Sequence, residues 1–361
     1  MRVEKLPTNG FSANRTNNQH HARTQLQSHP DRAPEENCNG KADLPVSQTS
    51  LLLLPLPTHM SWRGRSTPEE VGTRLGLPAS SVKAFLEGEV VTQEIEAAND
   101  KDLSLLVVSV ADTTVDKLYE WADQEKVHEI QAASLSAGML DPSDPAAGLE
   151  EMDLDEKTVE ALAKNPFMSK AEAAELKAGV KGGKGVETYK KILAARCKAY
   201  WEKGLEGITP YDGKGRDPAK DLKSANEAAL QAITDLHVHE ELFTAPSQSQ
   251  NSEYHKLKWV IQQGNDNPAP RLDHIIRIRR ELGYVTVTRR FYSGTDYDSS
   301  QIVTGVIPTS DGRSAIFYIN RTFSSAVAGF GGSAKRSIGR KLMKSKLIET
   351  MKKGQAVAKD L

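Results

Sequence analysis

Four strand-like runs close together near the end of the chain constrain its fold more than any other feature. Leu272 to Leu282, Tyr284 to Tyr292, Gln301 to Ile307 and Ser314 to Arg321 either alternate apolar with polar residues or run apolar. Gly283, Ser293-Gly294 and Ser310-Asp311-Gly312 separate them. Period-two patterning interrupted by turn formers predicts consecutive antiparallel strands, that is, a meander. Gly329-Phe330-Gly331-Gly332 then makes a turn into a final helix expected from about Ser333 to Lys353, with Met343, Leu347, Ile348 and Met351 among its apolar residues.

Upstream, Val90 to Glu96 and Leu103 to Val110 form an expected hairpin around Asn99-Asp100. Asp112-Thr113-Thr114 caps a helix carrying Val115, Leu118, Tyr119, Ala122 and Val127, and Ile130 to Leu135 is expected as a further strand. Ser66-Thr67-Pro68-Glu69-Glu70 starts a pair of short helices broken at Gly76 to Pro78. No basic recognition face follows them, so the pair is expected to pack as a hairpin rather than read DNA. Between about 141 and 245 the pattern is helical, with helices expected over Val186 to Lys203 and Pro218 to Leu236. The expected organisation is therefore a tail over 1–59, N-terminal helices and first strands over 60–140, a helical insertion over 141–250, and a meander with terminal helix over 251–361.

Composition bounds the function classes. The first 59 residues are polar and rich in Asn, Gln, Ser, Thr, Pro and His, which predicts disorder. Arg2, Arg15, Arg23 and Arg32 fit a transit peptide, Glu35 and Glu36 weigh against one, and Met60 is an alternative start, so the compartment stays open. The longest apolar run, Leu51 to Leu54 with Leu56, is too short to span a bilayer, and a soluble protein is expected. Two cysteines, Cys38 and Cys197, exclude a disulfide framework. A net charge of −1 gives no global reason to expect nucleic acid as a partner.

The element order, without its helical insertion, resembles the helix-grip fold of the START and polyketide-cyclase-like superfamily over about 90 to 135 and 254 to 355. That resemblance implies an α+β domain in which a curved antiparallel sheet wraps a long C-terminal helix around a cavity. Phe317-Tyr318-Ile319-Asn320-Arg321, followed by Gly329-Phe330-Gly331-Gly332-Ser333-Ala334-Lys335-Arg336, also resembles the C-terminal signature of an uncharacterised family of bacterial, often exported, proteins. The second resemblance implies no reaction.

Motifs for chemistry are sparse. His237-Val238-His239-Glu240-Glu241 is the densest group of metal-ligand residue types, but it ends an expected helix, where residues two apart point away from each other. Gly182-Gly183-Lys184-Gly185 lacks the hydroxyl and the preceding strand of a phosphate loop. Neither a metal site nor a cofactor is expected. Six basic residues, Lys335, Arg336, Arg340, Lys341, Lys344 and Lys346, crowd the final helix.

Strand parity supplies the candidate site. If Ile276, Ile278, Val285, Val287, Phe317 and Ile319 face the interior, then Arg280, Arg289 and Arg321 share their side. Guanidiniums at the rim of an apolar cavity suit a carboxylate or phosphate headgroup. With Tyr292, Phe317 and Trp259, these arginines form the expected ligand-binding set. The expected function is binding of an amphipathic, anionic small molecule or lipid, with an anionic membrane surface as a further partner. An enzyme using Tyr292, Tyr318 or His274 as acid or base is one rival; a protein or nucleic-acid module built on the basic helix is another. On this reading Arg289→Met spares folding and weakens ligand retention.

Overall fold

The computed structural model describes residues 66–124, 126–131, 134–164, 167–212, 216–233, 239–251, 254–264, 267–280 and 283–361. The expectations for the tail, and for His237 and Val238, lie outside the described residues.

The four expected C-terminal strands are β5 (Pro268–Arg280), β6 (Gly283–Ser293), β7 (Ser299–Pro308) and β8 (Ser314–Phe323), and a further strand that the sequence pattern did not single out, β4 (His255–Gln263), precedes them in the antiparallel run. The N-terminal hairpin, β1 (Val91–Glu94) and β2 (Asp102–Ala111), pairs with it through β2 and β8, and β3 (Ser134–Leu140) pairs with β4. The result among the described residues is one eight-stranded antiparallel sheet in the order β1-β2-β8-β7-β6-β5-β4-β3. The strand expected over Ile130 to Leu135 begins later, because Lys126–Ile130 forms a 3-10 turn and pairing with β4 starts at Ser134.

Ten helices complete the described fold, which is of mixed α+β type. α1 (Pro68–Arg74) and α2 (Ala79–Leu86) bury Val71, Val82 and Phe85; a reciprocal Thr67–Glu70 capping box starts the first. α3 (Val115–Asp123) follows β2. α4 (Pro145–Glu150), α5 (Glu156–Leu162), α6 (Lys170–Lys181), α7 (Gly185–Lys203), α8 (Pro218–Ile233) and α9 (His239–Phe243) lie in sequence between β3 and β4. They share a core with the sheet rather than building one of their own, for Leu149, Leu176, Leu193 and Tyr200 cluster with Leu257, Leu272 and Phe291. The last helix, α10 (Gly332–Asp360), outruns its expected end, and its final turns beyond Lys353 bury Ala358.

Both faces of the sheet are covered, and the register sorts the residues between them. Thr286 pairs with Arg277 and Thr304, and Tyr318 pairs with Thr304 and Val107, so these residues form a rung on one face. That face meets α3 and α10, where Leu118, Met351 and Ala358 join Leu105, Val107, Tyr284, Val306 and Ile316. The opposite face carries Ile276, Val287, Val303 and Ile319 toward α1 and α2, and Leu272 and Phe291 toward α4 to α8. α10 is fastened across β1 and β2 by Arg336 Nη1 to the Asp100 carbonyl at 2.8 Å, Arg340 to Glu94 at 2.9 Å, and Gln355 Nε2 to the Val110 carbonyl at 3.0 Å.

Candidate functional site

Between the sheet and α10 lies a cavity of about 150 Å³. Its apolar wall is made by Leu118 and Ala122 of α3, Val127 and Ile130 of the following turn, and Leu347 and Met351 of α10. The sheet contributes Ile275, Ile302, Val306 and Ile316, interleaved with Thr286, Thr288, Thr304 and Tyr318. Polar side chains on a buried sheet face are costly unless they find partners, and their concentration here makes this cavity the candidate site.

The sheet wall also carries charged donors. Lys258, Arg271 and Arg277 of β4 and β5 line the cavity with, among the described residues, one carboxylate, Asp273. Arg271 donates to Asp273 Oδ2 at 3.0 Å, Gln262 Oε1 at 3.1 Å and Gln131 Oε1 at 3.0 Å. Arg277 donates to Asp123 at 3.0 Å and to the Thr286 hydroxyl at 3.4 Å. Burial works to raise the Asp123 carboxyl, but Lys256 and Arg277 outweigh it and hold the group below the usual range. Burial raises the Tyr318 phenol, against the pull of Arg290 and Arg271, so it stays protonated and able to donate. Asp273 Oδ1 and Arg290 Nε, on register-paired residues of β5 and β6, are buried with no hydrogen-bond partner among the described residues. Such atoms are satisfied by bound water or by polar atoms of a ligand.

The residues expected from parity do share a face, but it is the opposite one. None of Arg280, Arg289, Arg321, Tyr292, Phe317 and Trp259 lines the cavity. Arg289 and Arg321 occupy one rung with Gln301 between them. Arg321 bonds Asp102 at 2.6 Å and the Glu96 carbonyl at 3.0 Å. Arg280, half-buried at a strand end, donates to the Arg279 carbonyl at 3.1 Å. Tyr292 shares a 2.7 Å hydrogen bond with Tyr189, and Trp259 Nε1 donates to the Gly148 carbonyl at 2.9 Å. Phe317 packs in the apolar core beneath α1 and α2. Of the expected acid–base candidates, only Tyr318 reaches the cavity.

Arg289 belongs to a buried chain whose direction can be worked out, since a guanidinium can only donate. Its Nη1 donates to the Tyr200 hydroxyl at 3.0 Å, and with both neutral rings donating toward the Glu241 carboxylate the Tyr200 proton points to His274 Nδ1 at 2.8 Å. His274 Nε2 then donates to His255 Nδ1 at 2.9 Å, and His255 Nε2 to Glu241 at 2.9 Å. Both rings are neutral in this arrangement. Desolvation first, then the charge of Arg289, hold His274 well below the usual histidine range. Burial opposes ionisation of Glu241, but hydrogen bonds from Asn251, Ser249 and His255 lower its pKa overall. The chain ties α7 and α9 to β4, β5 and β6, on the face away from the cavity. Glu241, from the group considered for metal binding, is thus engaged by protein donors. Among the described residues no group of three or more His, Cys, Asp or Glu side chains could hold a metal ion.

Comparison with protein-family models, curated proteins and solved structures found no match for this chain. Among the described residues no helix is long and apolar enough to cross a membrane. The cavity residues escape a parity argument because Thr286, Thr288 and Thr304 are ordinary strand residues. A signal was nevertheless present: Thr286 and Thr288 alternate along β6 with Thr304 paired beside them on β7, on the less apolar parity of these strands.

Proposed function

We propose that the protein binds a small amphipathic molecule, with an apolar body and an anionic head, in the cavity between the sheet and α10. The observation that carries this reading is the division of one cavity into an apolar wall from α3 and α10 and a donor-rich wall with Lys258, Arg271, Arg277 and Tyr318. Positive charge and neutral hydroxyl donors together favour a carboxylate or similar head. An antiparallel sheet facing a C-terminal helix across a cavity also supports a helix-grip-like reading of the fold, and cavities in such an arrangement suit ligand binding by analogy. The volume of about 150 Å³ sets the scale. A cavity of that size admits a group about as large as one aromatic ring, so a long acyl chain would require α10 to move.

The test is calorimetric titration of the protein with benzoate, benzyl alcohol and benzylamine, which share a ring and differ in charge. Benzoate should bind most tightly and benzylamine least. Arg277→Met removes a charge-assisted donor, which contributes about 1.5–3 kcal/mol, so benzoate should weaken about 10- to 100-fold. Thr304→Leu should fill the cavity and abolish binding of all three. Equal affinity across the series, or binding that survives Thr304→Leu, would count against this site.

A further inference from the structure

We infer that the outer face of the N-terminal half of α10 docks onto an anionic lipid surface, independently of the cavity. α10 is apolar on two opposite sides. Met343, Leu347 and Met351 face the sheet core or cavity, whereas Ile338 and Leu342 are 63% and 62% exposed. Ala334, Ile338 and Leu342 are spaced four apart and make one exposed ridge roughly 12 Å long. At about 100° per residue, Lys335 and Lys346 fall on one flank of that ridge and Lys341 on the other, with Lys344 further round.

The turn before the helix adds to this surface. Phe330 is fully exposed, and the glycines on either side of it, Gly329 and Gly331, both have φ of 71°. That left-handed backbone is costly for other residues, and it holds an aromatic ring out in solvent at the start of the helix. From Gly312 through Ile348 the chain contains no Asp or Glu. Arg336 and Arg340 turn inward to Asp100, Val327 and Glu94, whereas Lys335, Lys341, Lys344 and Lys346 are exposed and form no ion pair with the described residues.

Charge and shape select the occupant. An apolar ridge flanked by lysines lets lysine stems lie along apolar surface while ammonium groups meet anionic headgroups, with Phe, Ile and Leu entering the acyl boundary. A second copy docking through the same patch would bring like charges together about a two-fold axis. Nucleic acid would engage the lysines but leave Phe330, Ile338 and Leu342 unused.

The experiment is co-sedimentation of the full chain with vesicles of phosphatidylcholine alone and of equimolar phosphatidylcholine and phosphatidylserine. Binding should require phosphatidylserine and fall as sodium chloride is raised. Replacing Lys335, Lys341, Lys344 and Lys346 by Gln should weaken it by about fivefold per lysine. Phe330→Ser, Ile338→Ser and Leu342→Ser together should weaken it at least about tenfold. All are surface changes, and unchanged melting temperatures would confirm that the variants fold. Thr304→Leu should leave vesicle binding intact, which separates this surface from the cavity. Equal binding to both vesicle types would overturn the inference. So would a dimer in sedimentation equilibrium that Leu342→Ser dissociates, or oligonucleotide binding as tight as vesicle binding and indifferent to the three serine substitutions.

Discussion

Replacing Arg289 by Met tests whether this guanidinium is part of the framework. The side chain is 1% exposed and donates four hydrogen bonds: to Gln301 Oε1 at 3.3 Å, Tyr200 at 3.0 Å, Asn226 Oδ1 at 3.1 Å and the Leu242 carbonyl at 2.8 Å. Methionine fills much of the same volume but offers none of them. Two acceptors keep other interactions, since Asn226 Nδ2 still donates to the Leu242 carbonyl and Tyr200 still bonds His274. Gln301 Oε1 and Asn226 Oδ1 lose Arg289 as their donor. An orphaned buried acceptor costs about 1–3 kcal/mol, so the pair costs about 2–6 kcal/mol. Relief from desolvating the guanidinium offsets part of this, leaving a net loss of about 3 kcal/mol. For a chain of this size that is a fall in melting temperature of about 5 °C. Guanidinium chloride titration should show a lower midpoint at unchanged slope, because the surface exposed on unfolding is the same. The sequence-based expectation that Arg289→Met spares folding is thus reversed. A melting temperature within about a degree of the parent would refute the structural role, since it would mean that the four bonds do no more than offset the burial of the charge.

Acidification should destabilise the fold through His274. Its folded pKa is depressed, so the unfolded chain binds the extra proton, and stability present above about pH 6.5 is lost as pH falls from there toward the folded pKa, by up to about 1.4 kcal/mol per pH unit. His274→Asn should flatten that segment of a stability-against-pH curve measured by chemical denaturation; an unchanged slope would place the titration elsewhere. Arg321→Met strands Asp102, which is fully buried and whose carboxyl burial already pushes up, so a loss of about 3–5 kcal/mol is expected in equilibrium unfolding. Adding Asp102→Asn should recover part of it, and no recovery would show that the loss lies elsewhere. In Gly305→Ala the new methyl would stand 2.0 Å from the Phe317 ring, and overpacking of this kind costs about 1–3 kcal/mol. A neutral effect on melting temperature would mean that the ring shifts freely.

Local pattern determined the elements that carry their own signal. β5 to β8 were legible because Gly283, Gly294 and Gly312 punctuate runs with period-two patterning, and α7 because Tyr189, Ile192, Leu193, Cys197 and Tyr200 repeat at helical spacing. The start of β3 was not legible, since an edge strand reading Ser134-Leu135-Ser136-Ala137-Gly138 gains its identity from pairing with β4. Which face of the sheet holds the cavity was decided only by tertiary structure. In β6 one parity reads Val285, Val287, Arg289 and Phe291, and the other Tyr284, Thr286, Thr288 and Arg290. The more apolar parity is the natural choice for an interior when one face meets solvent. Here both faces are covered, so the more apolar parity packs against α1, α2 and α4 to α8, and the hydroxyl-bearing parity is left around the cavity under α10. The same limit applies to Arg289, whose partners Tyr200, Asn226 and Leu242 lie 89, 63 and 47 residues away in the chain. Periodicity reports which residues share a side, but what covers that side depends on contacts between distant segments, which no local pattern encodes.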